Sequence, residues 1–308
     1  MIRWWPRRDR TLLPKHDLRV DLQPAGWWSR FARLLRRQRT IPPLLFVRIP
    51  GGRFRLGSHN GSSDEEPRVE VELSDFYLSV FPVTQSQYAL WRPEHKNGFM
   101  GAEFADHPAE DMDWSAAVGY CEWLNAGFSA GLPSDFRFCL PSECQWEYAS
   151  RLSRGSSGAF CVETEYSNGD GASSLSAVGW YEGNSGGRTH RVGELVGTDF
   201  GLYDMHGNVW EWCRDAWASD AYFRYDWGEK NPEVRAADVG KSESDAPRVI
   251  RGGSWINPSR YCRAASRNIR YPVGRFRGQG FRVCACSGPR ANQPGRCGTS
   301  LLICAKKS

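Results

Sequence analysis

The sequence predicts a loop-rich α+β fold with little regular secondary structure, in which short strands and a few short helices are pinned by aromatic anchors. Three observations predict it. Fourteen tryptophans in 308 residues are several times the usual share, 32 glycines and 18 prolines supply frequent turns, and no internal repeat or long helical pattern runs through the chain. With 40% hydrophobic and 24% charged residues the composition is that of a globular chain, which sets aside collagen, simple disorder and membrane spans.

The elements follow in order. Residues 1–43 form a basic N-terminal extension, in which Trp27–Arg37 fits a short amphipathic helix with Trp27, Phe31, Leu34 and Leu35 on one face. Such a helix suits a solvated linker, a partner protein or a membrane surface. After Pro42-Pro43 the pattern changes to short strands. Phe46–Gly57 reads as two strands about the Gly51-Gly52 turn, and Val69–Leu73 alternates strictly, burying Val69, Val71 and Leu73 while Glu70 and Glu72 face water. Thr84-Gln85-Ser86-Gln87 and Ser142-Glu143-Cys144-Gln145 are capping boxes, each closely following a proline that ends the preceding strand. A third helix is expected over residues 115–125, with Ala117, Cys121 and Leu124 on one side. Beyond residue 155 helical signals are few, and Gly, Ser and Asn mark one loop after another.

The net charge of +5 conceals an uneven distribution: +8 over residues 1–40, −15 over 41–250, and +12 over 251–308, where no acidic residue occurs. Basic ends of this kind match either the chain's own acidic body or an acidic partner such as nucleic acid. Met1–Arg10 lacks the apolar run of a signal peptide, and the run Leu44–Val47 stops at Arg48. The expectation is a cytoplasmic protein without a membrane span, its ten cysteines mostly reduced. Cys284-Ala285-Cys286 has the wrong spacing for a zinc knuckle and no second zinc-ligand pair accompanies it; the six histidines are scattered, so a metal cluster is not expected.

Six strings then line up: Arg48–Ser58 (RIPGGRFRLGS), Pro82–Tyr88 (PVTQSQY), Leu140–Ala149 (LPSECQWEYA), Phe200–Trp212 (FGLYDMHGNVWEW), Arg251–Trp255 (RGGSW) and Gly280–Val283 (GFRV). In this order they resemble the formylglycine-generating enzyme, or sulfatase-modifying factor, family over residues 44–283. The resemblance implies an elaborated C-type lectin-like fold, with residues 284–308 as a tail without counterpart. It also implies a structural calcium ion at Asp204, Gly207, Val209 and Glu211, where two carboxylates and two backbone carbonyls offer the oxygen ligands calcium prefers. The same residues suit a capped turn in which Asp204 accepts backbone amides and Glu211 pairs with an arginine.

Catalytic members of the family resemble one another in a pair of copper-binding cysteines five residues apart, shortly after the Gly-Gly-Ser string. Counting from Gly252 places Asn257 and Cys262 at those positions, and asparagine supplies no thiolate for Cu(I). The copper oxidase site is therefore expected to be absent, with Cys262 a small buried side chain; an oxidase using Cys262 as its remaining thiol is the alternative. Another branch of the family adds a helical domain with iron-binding histidines, and that reading is not expected here, because residues 1–43 are short for such a bundle and hold no matching His-rich helix.

Residues 251–283 hold eight arginines and no acid, interleaved with Tyr261, Tyr271 and Phe276, a composition found at binding hot spots and on nucleic-acid-binding surfaces. The run also resembles the variable region of proteins diversified by retroelements, which use the same lectin-like scaffold. The resemblance implies a frame of Trp255, Arg260, Cys262, Arg263, Arg267, Pro272, Arg275 and Gly280. The replaceable, ligand-binding positions it implies are Ile256, Asn257, Pro258, Tyr261, Ser266, Asn268, Arg270, Tyr271, Gly274, Phe276, Arg277 and Gly278. All twelve residues can arise from asparagine codons by changes at adenines alone; none is Lys, Glu, Gln, Met or Trp. The expected function is non-catalytic binding of a macromolecular ligand, a protein in preference to nucleic acid, with a further partner open for the basic N-terminal extension.

Overall fold

Short strands need many neighbours to bury their apolar faces, and the chain supplies them by non-local pairing. The structure is a computed structural model and describes residues 17–22, 42–99, 101–155 and 158–287. A five-stranded antiparallel sheet runs in the order Leu18–Val20, Leu44–Ile49, Phe76–Ser79, Cys284–Ser287, Phe136–Cys139. A four-stranded sheet orders Arg267–Arg270, Arg248–Arg251, Trp210–Ala216 and Gln279–Gly280. Val69–Leu73 keeps its expected alternation and pairs with Gly52–Leu56 on one side and Glu229–Lys230 on the other. The fold is α+β and loop-rich, as expected, and among the described residues no helix is long and apolar enough to cross a membrane.

Both capping boxes form. Thr84 Oγ1 accepts from Gln87 N at 3.3 Å while Gln87 Oε1 accepts from Thr84 N at 3.0 Å, and the Ser142–Gln145 pair does the same at 3.1 and 2.9 Å. The helix Glu143–Arg151 is buried on every side, which explains why its polar residues all find partners. The third helix, Trp114–Gly127, starts one residue earlier than expected because Asp113 caps it, accepting from Ala116 N at 2.8 Å. Trp146, Trp210 and Trp212 are fully buried, so the tryptophans of the motif strings are scaffold anchors.

Three expectations change. Leu44–Ile49 and Gly52–Leu56 are strands but not a hairpin: each pairs elsewhere, and Gly51-Gly52 carries the chain between two sheets. Gly51 is needed there because a Cβ would collide with the carbonyl oxygen of Leu73. The break placed after residue 43 is not a structural boundary, since Leu18–Val20 pairs with Leu44–Phe46. Nor does the domain stop at residue 283, because Cys284–Ser287 lies inside the five-stranded sheet between Phe76–Ser79 and Phe136–Cys139. The helix expected at Trp27–Arg37 and the tail beyond residue 287 lie outside the described residues.

Candidate functional site

The segment 251–283 begins on an ionic foundation. Arg251, Arg267 and Arg282 are buried, and burial of a guanidinium is sustained only by carboxylates and carbonyls around it. Arg267 forms a two-point pair with Glu143, Nε to Oε1 at 2.6 Å and Nη2 to Oε2 at 2.9 Å. Arg251 lies between Glu143 and Glu147 and donates to the carbonyls of Ala264 and Ala265. Arg282 pairs with Glu211, Arg263 with Glu65, and Arg275 with Asp113. Five of the eight arginines are thus held by the acidic body of the same chain.

Above this foundation the two ends of the segment meet at Trp210. Its Nε1 donates to Asn257 Oδ1 at 2.8 Å, its N donates to Gly278 O at 2.7 Å, and its ring lies edge-on to Tyr261 with centroids 6.3 Å apart. The loop between is tied down by Trp114 N, which donates to Pro272 O, and by Arg270 packed over Phe276. The result is a face bearing large apolar side chains in water: Ile256 is 45% exposed, Tyr271 62% and Val273 78%. Arg260, Arg275 and Arg277 are exposed beside them.

Most frame positions point inward and most replaceable positions do not. Trp255, Cys262, Arg267, Pro272 and Gly280 are buried and Arg263 half-buried, while Arg260 and Arg275 are exposed. Ten of the twelve replaceable positions are half-buried or exposed; Ser266 and Gly278 are the exceptions. Gly278 has φ +83°, with Ser254 Oγ and Trp255 Nε1 about where a side chain would go, so it belongs to the frame for steric reasons. Ser266 is buried and its N donates to Arg263 O, which removes it from the face. Asn257 is tethered as well as half-exposed, since Ser254 Oγ also donates to its Oδ1 at 2.6 Å. Two residues escaped the sequence reading. Val273 is the most exposed large apolar side chain of the loop, and Glu110, fully buried, accepts from Gly278 N at 2.6 Å and holds the loop from below. Burial pushes the Glu110 carboxyl up from its ordinary value. Neither was legible, because Val273 sits between family positions and Glu110 is far from the segment in sequence.

At the positions equivalent to the copper cysteines, Asn257 is spent on hydrogen bonds and Cys262 is fully buried. Burial pushes the Cys262 thiol up to about 12, a protonated side chain at neutral pH. At the expected calcium positions both carboxylates already have partners within the chain. Glu211 Oε2 accepts from Arg282 Nε and Trp146 Nε1, each at 2.6 Å, and its Oε1 accepts from Arg282 Nη2 at 2.8 Å. Asp204 accepts from Gly193 N at 2.8 Å and Asn208 Nδ2 at 3.1 Å, and burial pushes its carboxyl up to about 6. A guanidinium already paired to Glu211 opposes a dication there, so the donor set does not fit calcium. Gly207, at φ +88°, and fully buried Val209 serve the turn: a Cβ at Gly207 would collide with Trp180 O, and Gly207 N donates to Gly252 O at 2.6 Å. The capped turn and arginine pair are what this stretch builds.

Residues 32–286 match the Sulfatase-modifying factor enzyme 1-like domain. The chain belongs to this family. A sulfatase-modifying-factor relative, the formylglycine-generating enzyme of Streptomyces coelicolor, is 30% identical over 309 residues, covering 78% of this chain and 88% of its own. The serine/threonine-protein kinase pkn1 of Chlamydia caviae is 29% identical over 262 residues, 78% of this chain but 37% of its own, so the present chain spans well under half of that relative's length. Among solved structures, Treponema denticola variable protein 1 superposes with a TM-score of 0.64 at 25% identity, covering 80% of this chain and 96% of that one. The sulfatase-modifying-factor fold here is therefore shared by formylglycine-generating enzymes and by a variable protein.

Proposed function

We propose that the chain is a non-catalytic ligand-binding protein whose face over residues 256–277 is diversified by a retroelement and takes a macromolecular ligand, a protein, in the cytoplasm. The observation that carries this reading is the division of the segment: buried side chains locked to the body alternate with replaceable positions that stand in water, Ile256, Tyr271 and Arg277 foremost. Such a surface supplies anchors of large area and directional cations. The oxidase alternative lacks support at its two decisive positions, because Asn257 has no thiol and Cys262 is buried and protonated. Nucleic acid is disfavoured by the same ion pairs that hold five of the eight arginines.

The deciding experiment reads the flanking DNA. A neighbouring reverse transcriptase gene and a non-coding copy of the 256–277 segment, differing from it only at adenines, are expected; their absence ends the diversification reading. Incubation of the protein with copper, oxygen and a sulfatase-motif peptide is expected to leave the peptide mass unchanged, and oxidation of its cysteine would overturn the non-catalytic reading.

A further inference from the structure

Away from the binding face, three cysteines converge on the five-stranded sheet. Cys139 lies directly opposite Cys284 on the neighbouring antiparallel strand, and Cys286, two residues further along, turns its side chain to the same face. The three sulfurs lie within 4.8 Å of one another, with Cys139 and Cys286 3.4 Å apart. Cys284 is buried and the other two are half-buried, which leaves a path from solvent. Sulfurs around one ion at metal–sulfur bonds of about 2.3 Å stand about 4 Å apart in a trigonal plane, close to this spacing.

The outer partner is also present. Arg214 Nη1 lies 3.4 Å from Cys139 Sγ and 3.6 Å from Cys286 Sγ, and its Nε is paired with Glu233. Three thiolates around a monovalent ion leave two negative charges, and a guanidinium donating to two of the sulfurs draws on that charge through charge-assisted hydrogen bonds. Among the described residues no fourth His, Cys, Asp or Glu joins the group, which disfavours the four-coordinate cage of structural zinc. A Cys139–Cys286 disulfide is disfavoured by position, since diagonal cross-strand residues have Cα atoms about 7–8 Å apart, at the limit of a disulfide's reach.

We propose that Cys139, Cys284 and Cys286 form a trigonal thiolate site for Cu(I), with Arg214 as its hydrogen-bonding outer partner. Soft thiolates select this ion. Binding forms three copper–sulfur bonds and releases the thiol protons to solvent; the ion arrives reduced and no electron is transferred. The site is separate from the family's copper position, where Cys262 stands, and does not depend on the proposed ligand face.

The test is an anaerobic titration of the full chain with Cu(I) against bicinchoninate, read by loss of the coloured competitor complex and by near-ultraviolet sulfur-to-copper charge transfer. One equivalent is expected to leave the competitor. Cys139→Ser and Cys286→Ser are expected to abolish this, Arg214→Gln to weaken it about tenfold, and Cys262→Ser or the pair Cys297→Ser and Cys304→Ser to leave it intact. Circular dichroism confirms that each variant compared is folded. The proposal is overturned if copper stays with the competitor, if binding survives loss of Cys139 and Cys286, if Cys262→Ser removes it, or if zinc is taken in preference. A Cys139–Cys284 disulfide found in the protein after purification under reducing conditions also overturns it.

Discussion

Glu143 opens a helix, yet its carboxylate is the junction of the C-terminal half. It accepts from Arg267 at two points, from Arg251 at 3.3 Å and from the Tyr222 hydroxyl at 3.3 Å, all out of water. Removing one partner of a buried pair leaves the others charged and unsolvated, which costs far more than the pair's net worth. Glu143→Gln is therefore expected to lower unfolding free energy by about 3–5 kcal/mol, measured by urea denaturation at neutral pH, or to prevent folding. A loss below 1 kcal/mol, the scale of an exposed ion pair, would show that Arg251 and Arg267 hold their places without it. His206 shows the same economy in neutral form. Its Nδ1 donates to Cys262 O and its Nε2 accepts from Ser167 N, so one tautomer satisfies both, and burial pushes its pKa down to about 4. The unfolded chain binds that proton more readily, so its contribution to stability is present above pH 6.5 and is lost as pH falls toward 4. The expected outcome is that the stability deficit of His206→Asn relative to wild type shrinks between pH 7 and pH 5.

At the scale of elements, the caps decide where helices begin. Ser142→Ala removes an acceptor from the Gln145 amide and is expected to cost about 1 kcal/mol, read as a shift of the urea midpoint at unchanged slope. These starts were legible because a capping box is local: hydroxyl and amide lie three residues apart in sequence and in space. So was Val69–Leu73, whose alternation needs only one buried face. What was not legible is pairing across long separations. Nothing near Gly51-Gly52 tells that its flanking strands find partners in different sheets, and Cys284–Ser287, too short for a periodic signal, becomes an interior strand only because residues 76–79 and 136–139 lie on either side. The cysteine trio escaped for the same reason, since spacing along the chain pairs Cys284 with Cys286 but cannot bring in Cys139. On the face, motif order located the segment, but only the fold could assign Ser266 and Gly278 to its support.

For the whole molecule, part of the charge separated along the chain is paired in space. Glu65, Glu143, Glu147 and Glu211 receive Arg263, Arg267, Arg251 and Arg282, which joins the C-terminal segment to three distant regions. Tolerance to substitution should follow this division. Tyr271→Ser and Ile256→Asn are expected to change stability by less than about 0.5 kcal/mol, whereas Arg267→Ala should behave like Glu143→Gln. Thermal unfolding of the three variants checks this, and equal losses would contradict the separation of face from foundation.

The place of Cys284–Ser287 has a consequence for how the protein is made. One interior strand of the five-stranded sheet is the last described stretch to leave the ribosome, so Phe76–Ser79 and Phe136–Cys139 wait unjoined through the synthesis of everything between. Any copy whose reading frame is lost within residues 251–283 never acquires that strand. Completion of the sheet thus requires that the whole segment proposed to vary be read through in frame.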